Sequence, residues 1–71
     1  MKLTKKSILT GIEHTIELPI GKDTYELGIF YHDNGMFIQD AFPTLNADER
    51  EFILTGVTAD EWNDAFPEDN Q

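Results

Sequence analysis

Hydrophobic positions in the first twenty residues recur at every second place. Across residues 12–20, apolar residues alternate with mostly polar ones, as in a strand with one buried face. A shorter, mixed segment covers residues 5–9, and Thr10-Gly11 supplies a turn between the two. We therefore predict an N-terminal β-hairpin. Pro19 should lie near the end of an edge strand, where its missing N–H does least harm.

The second half of the chain predicts two short helices, each of which begins with a capping box. In a capping box, the side chains of the N-cap residue and of the residue three places on satisfy each other's backbone N–H. Asn46 with Glu49, and Thr58 with Glu61, have the required spacing. Acidic residues in a first turn also suit the helix dipole, so part of the negative charge has a structural explanation.

Glycine and proline set the ends of these two helices, and apolar residues set their buried faces. Gly56 is a natural stop for the first helix, and Pro67 for the second. The first helix should bury Phe52 and Ile53, with Ala47 or Leu54 beside them. On the second, apolar residues recur at helical spacing, namely Trp62, Ala65 and Phe66.

Residues 22–33 are compatible with either a helix or a strand. Asp23 and Glu26 have capping-box spacing, and Asn34-Gly35 would end a helix. Against a helix, Gly28 lowers helix propensity, and the Ile-Phe-Tyr run at 29–31 favours a strand. Asn34-Gly35 is also a strong hairpin turn. The local pattern leaves both structures open, and residues 36–39 then predict a short strand.

These elements predict an α+β fold, with a small antiparallel sheet packed by two or three short helices. The 71 residues predict one domain, with residues 68–71 as a frayed tail. The chain has no cysteine, which excludes a disulfide scaffold and thiolate metal sites. No apolar run follows the N-terminal lysines as in a signal peptide, and none is long enough to span a membrane. We expect a cytoplasmic protein that acts as a monomer.

The excess of acidic residues lies almost entirely in the second half of the chain. Fourteen acids and five bases give a net charge of −9. Residues 1–35 hold five acids and four bases, a net of −1, whereas residues 36–71 hold nine acids and one base, a net of −8. Such a field repels nucleic acids and anionic membranes and attracts cationic surfaces. We therefore expect a basic partner, and direct binding neither to nucleic acid nor to a membrane.

Residues with catalytic or metal-binding chemistry do not form a recognisable motif. His14 and His32 are the only histidines, and no third ligand lies at a spacing typical of a metal site. His14 lies on the apolar face of the predicted strand, so we expect a partly buried structural residue. Ser7, the only serine, lacks a nucleophile-elbow context. We predict that the protein is not an enzyme and uses no cofactor or metal.

One group of acidic residues remains as a candidate site. The two C-terminal helices place several carboxylates close together, where like charges repel each other by a few tenths of a kcal/mol per neighbouring pair. Rows of carboxylates on adjacent helices can imitate the phosphates of DNA. The alternative is that these side chains only solvate the surface of a small domain. The candidate partner-binding residues are Asp48, Glu49, Glu51, Asp60, Glu61, Asp64, Glu68 and Asp69.

Residues 38–62, IQDAFPTLNADEREFILTGVTADEW, resemble a signature of small phage and prophage proteins. The matching parts are the IQDAFP and ADEREFI runs, the Thr55-Gly56 step, Thr58 and the Glu-Trp pair at 61–62. They cover about the last half of the chain, and the Pro-Ile step at 19–20 matches loosely. The segment between the Pro-Ile step and residue 38 is longer here than in that family. The family has a short helix in this segment, which favours a helix for residues 22–33.

The resemblance implies an accessory protein that acts on host defence. In size and charge the chain is similar to anti-CRISPR proteins, several of which mimic DNA or cover a DNA-binding surface. The implied partner is a basic, nucleic-acid-binding host protein or complex, and no catalytic residue is implied. The alternative is a phage accessory or structural protein that binds a virion or replication protein through its aromatic and acidic surface.

Overall fold

The chain begins with an antiparallel β-hairpin, as the alternating pattern predicts. The computed structural model describes residues 1–66. In it, β1 spans Lys2–Lys6 and β2 spans Glu13–Glu17, with Leu3 opposite Ile16. β1 therefore starts earlier than the predicted 5–9. The N-terminal amine explains this, because it donates to the carbonyls of Leu18 and Ile20 at 2.7 and 2.8 Å and fixes the first residues beside β2.

The connection between the two strands is a folded loop over residues 7–12, so the assignment of residues 7–9 and 12 to strands was wrong. The amide of Ser7 donates to the carbonyl of Ile12 at 2.9 Å, and the amide of Gly11 donates back to the carbonyl of Ser7. The buried Ser7 hydroxyl also accepts from the amide of Leu9. Ile12 was predicted on the buried face, but it lies in this loop, before β2 begins, and its side chain is 55% exposed. Pro19 lies beyond the end of β2 rather than within it.

Residues 22–33 form a helix, which settles the ambiguity of the middle segment. α1 spans Lys22–Asp33, with Asn34 as its C-cap. Gly21 is the N-cap and makes no side-chain cap bond, so the predicted capping box of Asp23 and Glu26 is absent. Gly28, which argued against a helix, is the buried residue of α1. A Cβ there would lie 2.4 Å from the ring of Phe42, so the missing side chain lets α1 pack closely.

A single helical turn replaces the strand that was predicted for residues 36–39. α2 spans Ile38–Ala41, and the amides of Ala41 and Phe42 donate to the carbonyls of Phe37 and Ile38. An isolated strand here would leave these backbone groups unpaired, whereas the helical turn satisfies them locally. The turn also places Ile38 and Ala41 against the core and buries Phe42.

Both predicted C-terminal helices are present, and both capping boxes are confirmed. α3 spans Ala47–Thr55, and α4 spans Ala59–Ala65. The Asn46 side chain accepts from the Glu49 amide at 2.8 Å, and the Glu49 carboxylate accepts from the Asn46 amide at 2.9 Å. Residues 1–66 thus form an α+β fold with four helices, more than the two or three predicted. The predicted tail and the stop at Pro67 lie outside the described residues.

The core is small and comes mainly from the middle of the chain and from α3. Leu18, Phe42, Leu45 and Ile53 form one buried cluster. Phe52 on α3 and Val57 after it are also buried, so the predicted inward face of α3 is correct for its two central residues. Ala47 and Leu54, each offered as a third buried residue, are exposed.

The predicted buried stripe of α4 is wrong, because this helix has no buried residue. The three residues of the predicted stripe are all exposed, and α4 spans only seven residues. The core that they would enter is already filled from α2 and α3. The exposed residues of the stripe are Trp62, Ala65 and Phe66.

Polar contacts fix the C-terminal end of α3 against the hairpin. The Lys5 amine donates to the carbonyl of Ile53 at 2.7 Å, as expected for a cation at a helix C-terminus. The amide of Ile8 donates to the carbonyl of Thr55 at 3.1 Å. Gly56 has φ +74°, and a Cβ on it would lie 2.4 Å from the carbonyl oxygen of Lys6. Glycine is therefore required both for the turn and for the close approach.

Gly56→Ala should lower the free energy of unfolding more than Gly11→Ala does. Both glycines have φ near +75°, so each substitution carries the cost of a left-handed alanine, about 1–2 kcal/mol. Only Gly56 faces a backbone atom, whereas the space around Gly11 is open. Urea unfolding of both variants measures the difference. Equal losses would mean that the contact with Lys6 adds nothing to the conformational cost.

Candidate functional site

A groove of about 210 Å³ runs between α3 and α4. α3 contributes Asp48 and Glu51, which are three residues apart and therefore lie on one face of the helix. α4 contributes Ala59 and Trp62 at the same spacing, and Val57 contributes from the connection. The groove thus combines two carboxylates with apolar walls and an aromatic ring.

A second hollow, of about 230 Å³, lies on the other side of Asp48. Ile16 and Glu17 of β2 line it, together with Glu49 and Phe52 of α3. Asp48, Thr58 and Ala59 line both hollows, so the two openings adjoin on this side of the molecule. Negative charge therefore continues from the groove towards the hairpin.

The eight predicted site residues divide into three groups. Glu68 and Asp69 lie outside the described residues. Glu49 and Glu61 accept hydrogen bonds in the capping boxes of α3 and α4, so each has a structural task. The other four are exposed and have no ion-pair partner among residues 1–66: Asp48, Glu51, Asp60 and Asp64. We call these four residues the free carboxylates. Two of them, Asp48 and Glu51, line the groove.

Two bases on or beside α3 bind backbone carbonyls instead of carboxylates. Arg50 is the only base of the second half of the chain, and its guanidinium donates to the carbonyl of Leu45 at 2.6 Å. The Lys5 amine is directed at the carbonyl of Ile53. Neither cation forms an ion pair with a carboxylate of α3 or α4 within the described part of the chain. The negative field of this surface is therefore left largely uncompensated.

Glu61 connects α4 to the hairpin. Its carboxylate accepts from the Thr10 hydroxyl at 2.6 Å and lies 2.6 Å from Nε2 of His14. Its side chain is only 12% exposed. The hydrogen bond from Thr10, then those from His14 and Ser7, lower the pKa of Glu61 to about 2. The sequence grouped Glu61 with the partner-binding residues, but the structure directs this carboxylate into the fold.

His14 is partly buried and has a structural contact, as its place in the alternating pattern predicts. The sequence analysis did not pair it with Glu61, 47 residues away, because no local signal connects a strand to a distant helix. His32 makes a separate contact, with Nδ1 2.9 Å from the carbonyl of Met36. Within residues 1–66, no three His, Asp or Glu side chains are grouped as metal ligands.

Trp62 is the site residue that the sequence analysis missed. It was assigned to the buried face of the second helix, yet its side chain is 48% exposed and lines the groove. Phe66 lies next to it, with ring centroids 4.8 Å apart. The signal available in the sequence was the position of Trp62 on a short acidic helix, three residues after Ala59. The helical stripe alone does not distinguish a buried face from an exposed aromatic pair.

Comparison with known proteins adds no relative to this description. No model of a protein family, no curated protein and no solved structure matches the chain. None of the helices in residues 1–66 has the length and apolar character needed to cross a membrane. The candidate site therefore rests on its own geometry, and the resemblance to phage proteins stays a prediction.

Glu61→Gln should make the stability of the fold less dependent on pH in acid. The folded pKa of about 2 is below the ordinary value of 4.5, so ionised Glu61 stabilises the fold above pH 4.5. This contribution should disappear as the pH falls from about 4.5 to about 2. Urea unfolding at several pH values in this range, followed by circular dichroism, measures the slope for the variant and the parent.

Asp64→Asn is the matched control for this measurement. Asp64 is on the same helix, but it is exposed and has no ion-pair partner among the described residues. Its substitution should leave the acid-induced loss of stability as in the parent protein. If Glu61→Gln showed the same steep loss as Asp64→Asn, the contacts of Glu61 with the hairpin would not stabilise the fold.

Proposed function

We propose that this protein is a phage-encoded inhibitor of a host nucleic-acid-binding defence complex, similar in action to anti-CRISPR proteins. It would cover the nucleic-acid-binding surface of that complex with the acidic side of α3 and α4. The observation that carries the proposal is the set of free carboxylates beside an exposed tryptophan, with the neighbouring bases bound to backbone carbonyls. The phage origin rests on the resemblance alone.

The chemistry of a nucleic-acid-binding surface matches such an acidic face. Duplex DNA presents one phosphate charge per about 1.7 Å of helix axis, and its binding proteins meet these charges with lysine and arginine. Carboxylates can replace phosphates as acceptors of charge-assisted hydrogen bonds. The field from a net charge of −9 would also speed the encounter with a basic surface.

The capping boxes support this role because they fix the helices that carry the free carboxylates. Glu49 and Glu61 each satisfy an N-terminal backbone amide, so α3 and α4 start at defined residues. Asp48 and Asp60 each follow two residues after an N-cap. A preformed array loses less conformational entropy on binding than a flexible acidic tail would.

The proposal predicts capture of a basic, DNA-binding protein by the tagged chain from nuclease-treated bacterial lysate. The captured protein, once identified and purified, should bind duplex DNA, and the chain should displace that DNA in a competition assay. Binding should weaken steeply with salt, since exposed charges are screened over about 10 Å at 0.1 M. A captured protein whose DNA binding is unaffected by the chain would contradict the proposal.

Charge reversal tests whether the α4 carboxylates take part. Asp60→Lys with Asp64→Lys should lower the affinity for that partner by at least tenfold, or about 1.4 kcal/mol. Asp33→Lys with Asp40→Lys changes the charge by the same amount at exposed positions of α1 and α2. This control should cost much less. Equal losses in both variants would show that net charge, and not the acidic face, governs binding.

A second candidate function rests on a different surface, at the C-terminal end of α1 and the start of α2. Phe37 is 71% exposed and Phe30 59% exposed, and Tyr31 packs edge-on against Phe30 at 5.8 Å between ring centroids. Exposed aromatic groups of this kind are common anchors of protein interfaces. They favour the alternative of an accessory protein that binds a virion or replication protein.

Salt and substitution separate the two candidates. Binding through the aromatic surface should be nearly independent of salt and should be lost in Phe30→Ser with Phe37→Ser. Binding through the acidic face should persist in that variant and decline with salt. Affinity measurements at 0.05 and 0.5 M salt with both variants therefore assign the interface.

A further inference from the structure

We infer that the groove between α3 and α4 receives one arginine side chain of the basic partner. Its guanidinium would bind the carboxylates of Asp48 and Glu51 and lie against the ring of Trp62. This inference deepens the proposed function, since it takes from it that the partner is basic. It names the side chain that the groove recognises.

The lining of the groove fits the two ends of an arginine side chain. Asp48 and Glu51 supply acceptors for the guanidinium, whose N–H groups match carboxylates in pairs. Val57 and Ala59 supply an apolar wall on which the methylene stem can lie. Trp62 supplies the aromatic face, and its side chain is about half exposed. An acidic surface without these apolar walls would not distinguish one cation from another.

The size of the groove limits its occupant to about one side chain. Its volume of about 210 Å³ is below the roughly 300–1,000 Å³ of sites for small-molecule ligands. The groove is also open to solvent along its acidic edge, where Asp48 and Glu51 are exposed. A side chain that projects from a macromolecular partner suits this shape better than a free metabolite does.

Arginine suits the groove better than lysine because of Trp62. A guanidinium is planar, stacks on aromatic rings and is less strongly hydrated than an ammonium group. A cation over an aromatic face at an exposed site gains about 0.5–1 kcal/mol, so the preference for arginine over lysine should not exceed about fivefold in affinity. Arg50, the only base in this half of the chain, does not fill the groove, since it binds the carbonyl of Leu45.

The groove is preformed because α4 is fixed from its other side. Glu61 precedes Trp62 and binds Thr10 and His14 of the hairpin, at 2.6 Å in each case. These contacts hold the first turn of α4 while Trp62 is left on the groove side. The site therefore does not need a partner to assemble it.

Titration of the full chain with short peptides tests the inference directly. The probes are a capped peptide with four arginines separated by glycines and its lysine counterpart, both at low salt. Trp62 is the only tryptophan, so its fluorescence reports on the groove alone. We expect the arginine peptide to change this fluorescence and to bind more tightly than the lysine peptide, by up to about fivefold. Equal affinities, or no fluorescence change, would overturn the inference.

Paired neutralisations distinguish binding in the groove from attraction by the overall negative charge of the protein. Asp48→Asn with Glu51→Gln should weaken the arginine peptide about tenfold, because both acceptors of the groove lose their charge. Asp33→Asn with Asp40→Asn removes the same charge at exposed positions of α1 and α2, outside the groove lining. It should weaken binding about twofold at most. Equal effects of the two pairs would overturn the inference.

Calorimetry of Trp62→Leu should show the arginine preference lost, and its persistence would also count against the groove.

The outcomes distinguish this inference from the proposed function. Peptide binding uses no host protein, so the groove can be confirmed even if no nucleic-acid-binding partner is found. The converse outcome is that the chain displaces DNA from a captured partner while the Asp48→Asn, Glu51→Gln variant binds the arginine peptide like its control. In that case the proposed function stands and the arginine groove is wrong.

Discussion

The hydrogen bonds of Glu61 join the two ends of this fold. Its carboxylate contacts Thr10 and His14 of the hairpin, while its backbone and side chain complete the capping box of α4. α4 buries no residue, so apolar packing contributes little to its position. The groove beside Trp62 therefore depends on this carboxylate remaining ionised, and its lowered pKa keeps it ionised well into acid.

The negative charge of the second half is thus of two kinds. Glu49 and Glu61 stabilise the helices and cannot also be fully available to a partner. The free carboxylates have no such task in residues 1–66, and their mutual repulsion is not relieved by the nearby bases. The repulsion among the free carboxylates persists in the folded protein, and binding to a cationic surface would relieve it. The acidic surface is a candidate interface because the free carboxylates are available to a partner.

The small core explains why so many apolar side chains remain at the surface. A domain of this size buries only about 60% of the surface that its unfolded chain exposes. Phe42 and Leu45 pack with Leu18 and Ile53 in the buried cluster, and Gly28 brings α1 close to Phe42. No room is left for the aromatic residues of α4 or for Phe30 and Phe37, which are exposed. Packing capacity, and not hydrophobicity, decided which aromatic residues became available for binding.

The sequence by itself determined the α+β class, the hairpin, both capping boxes, the stop at Gly56 and the uneven charge. All of these depend on residues a few places apart, so local spacing suffices. Only the tertiary structure decided between helix and strand for residues 22–33, replaced the predicted strand at 36–39 with α2, and exposed Trp62. It also turned Glu61 inward to meet His14, 47 residues away. These outcomes depend on which distant surfaces compete for a small core, and periodicity within one segment carries no information about that competition.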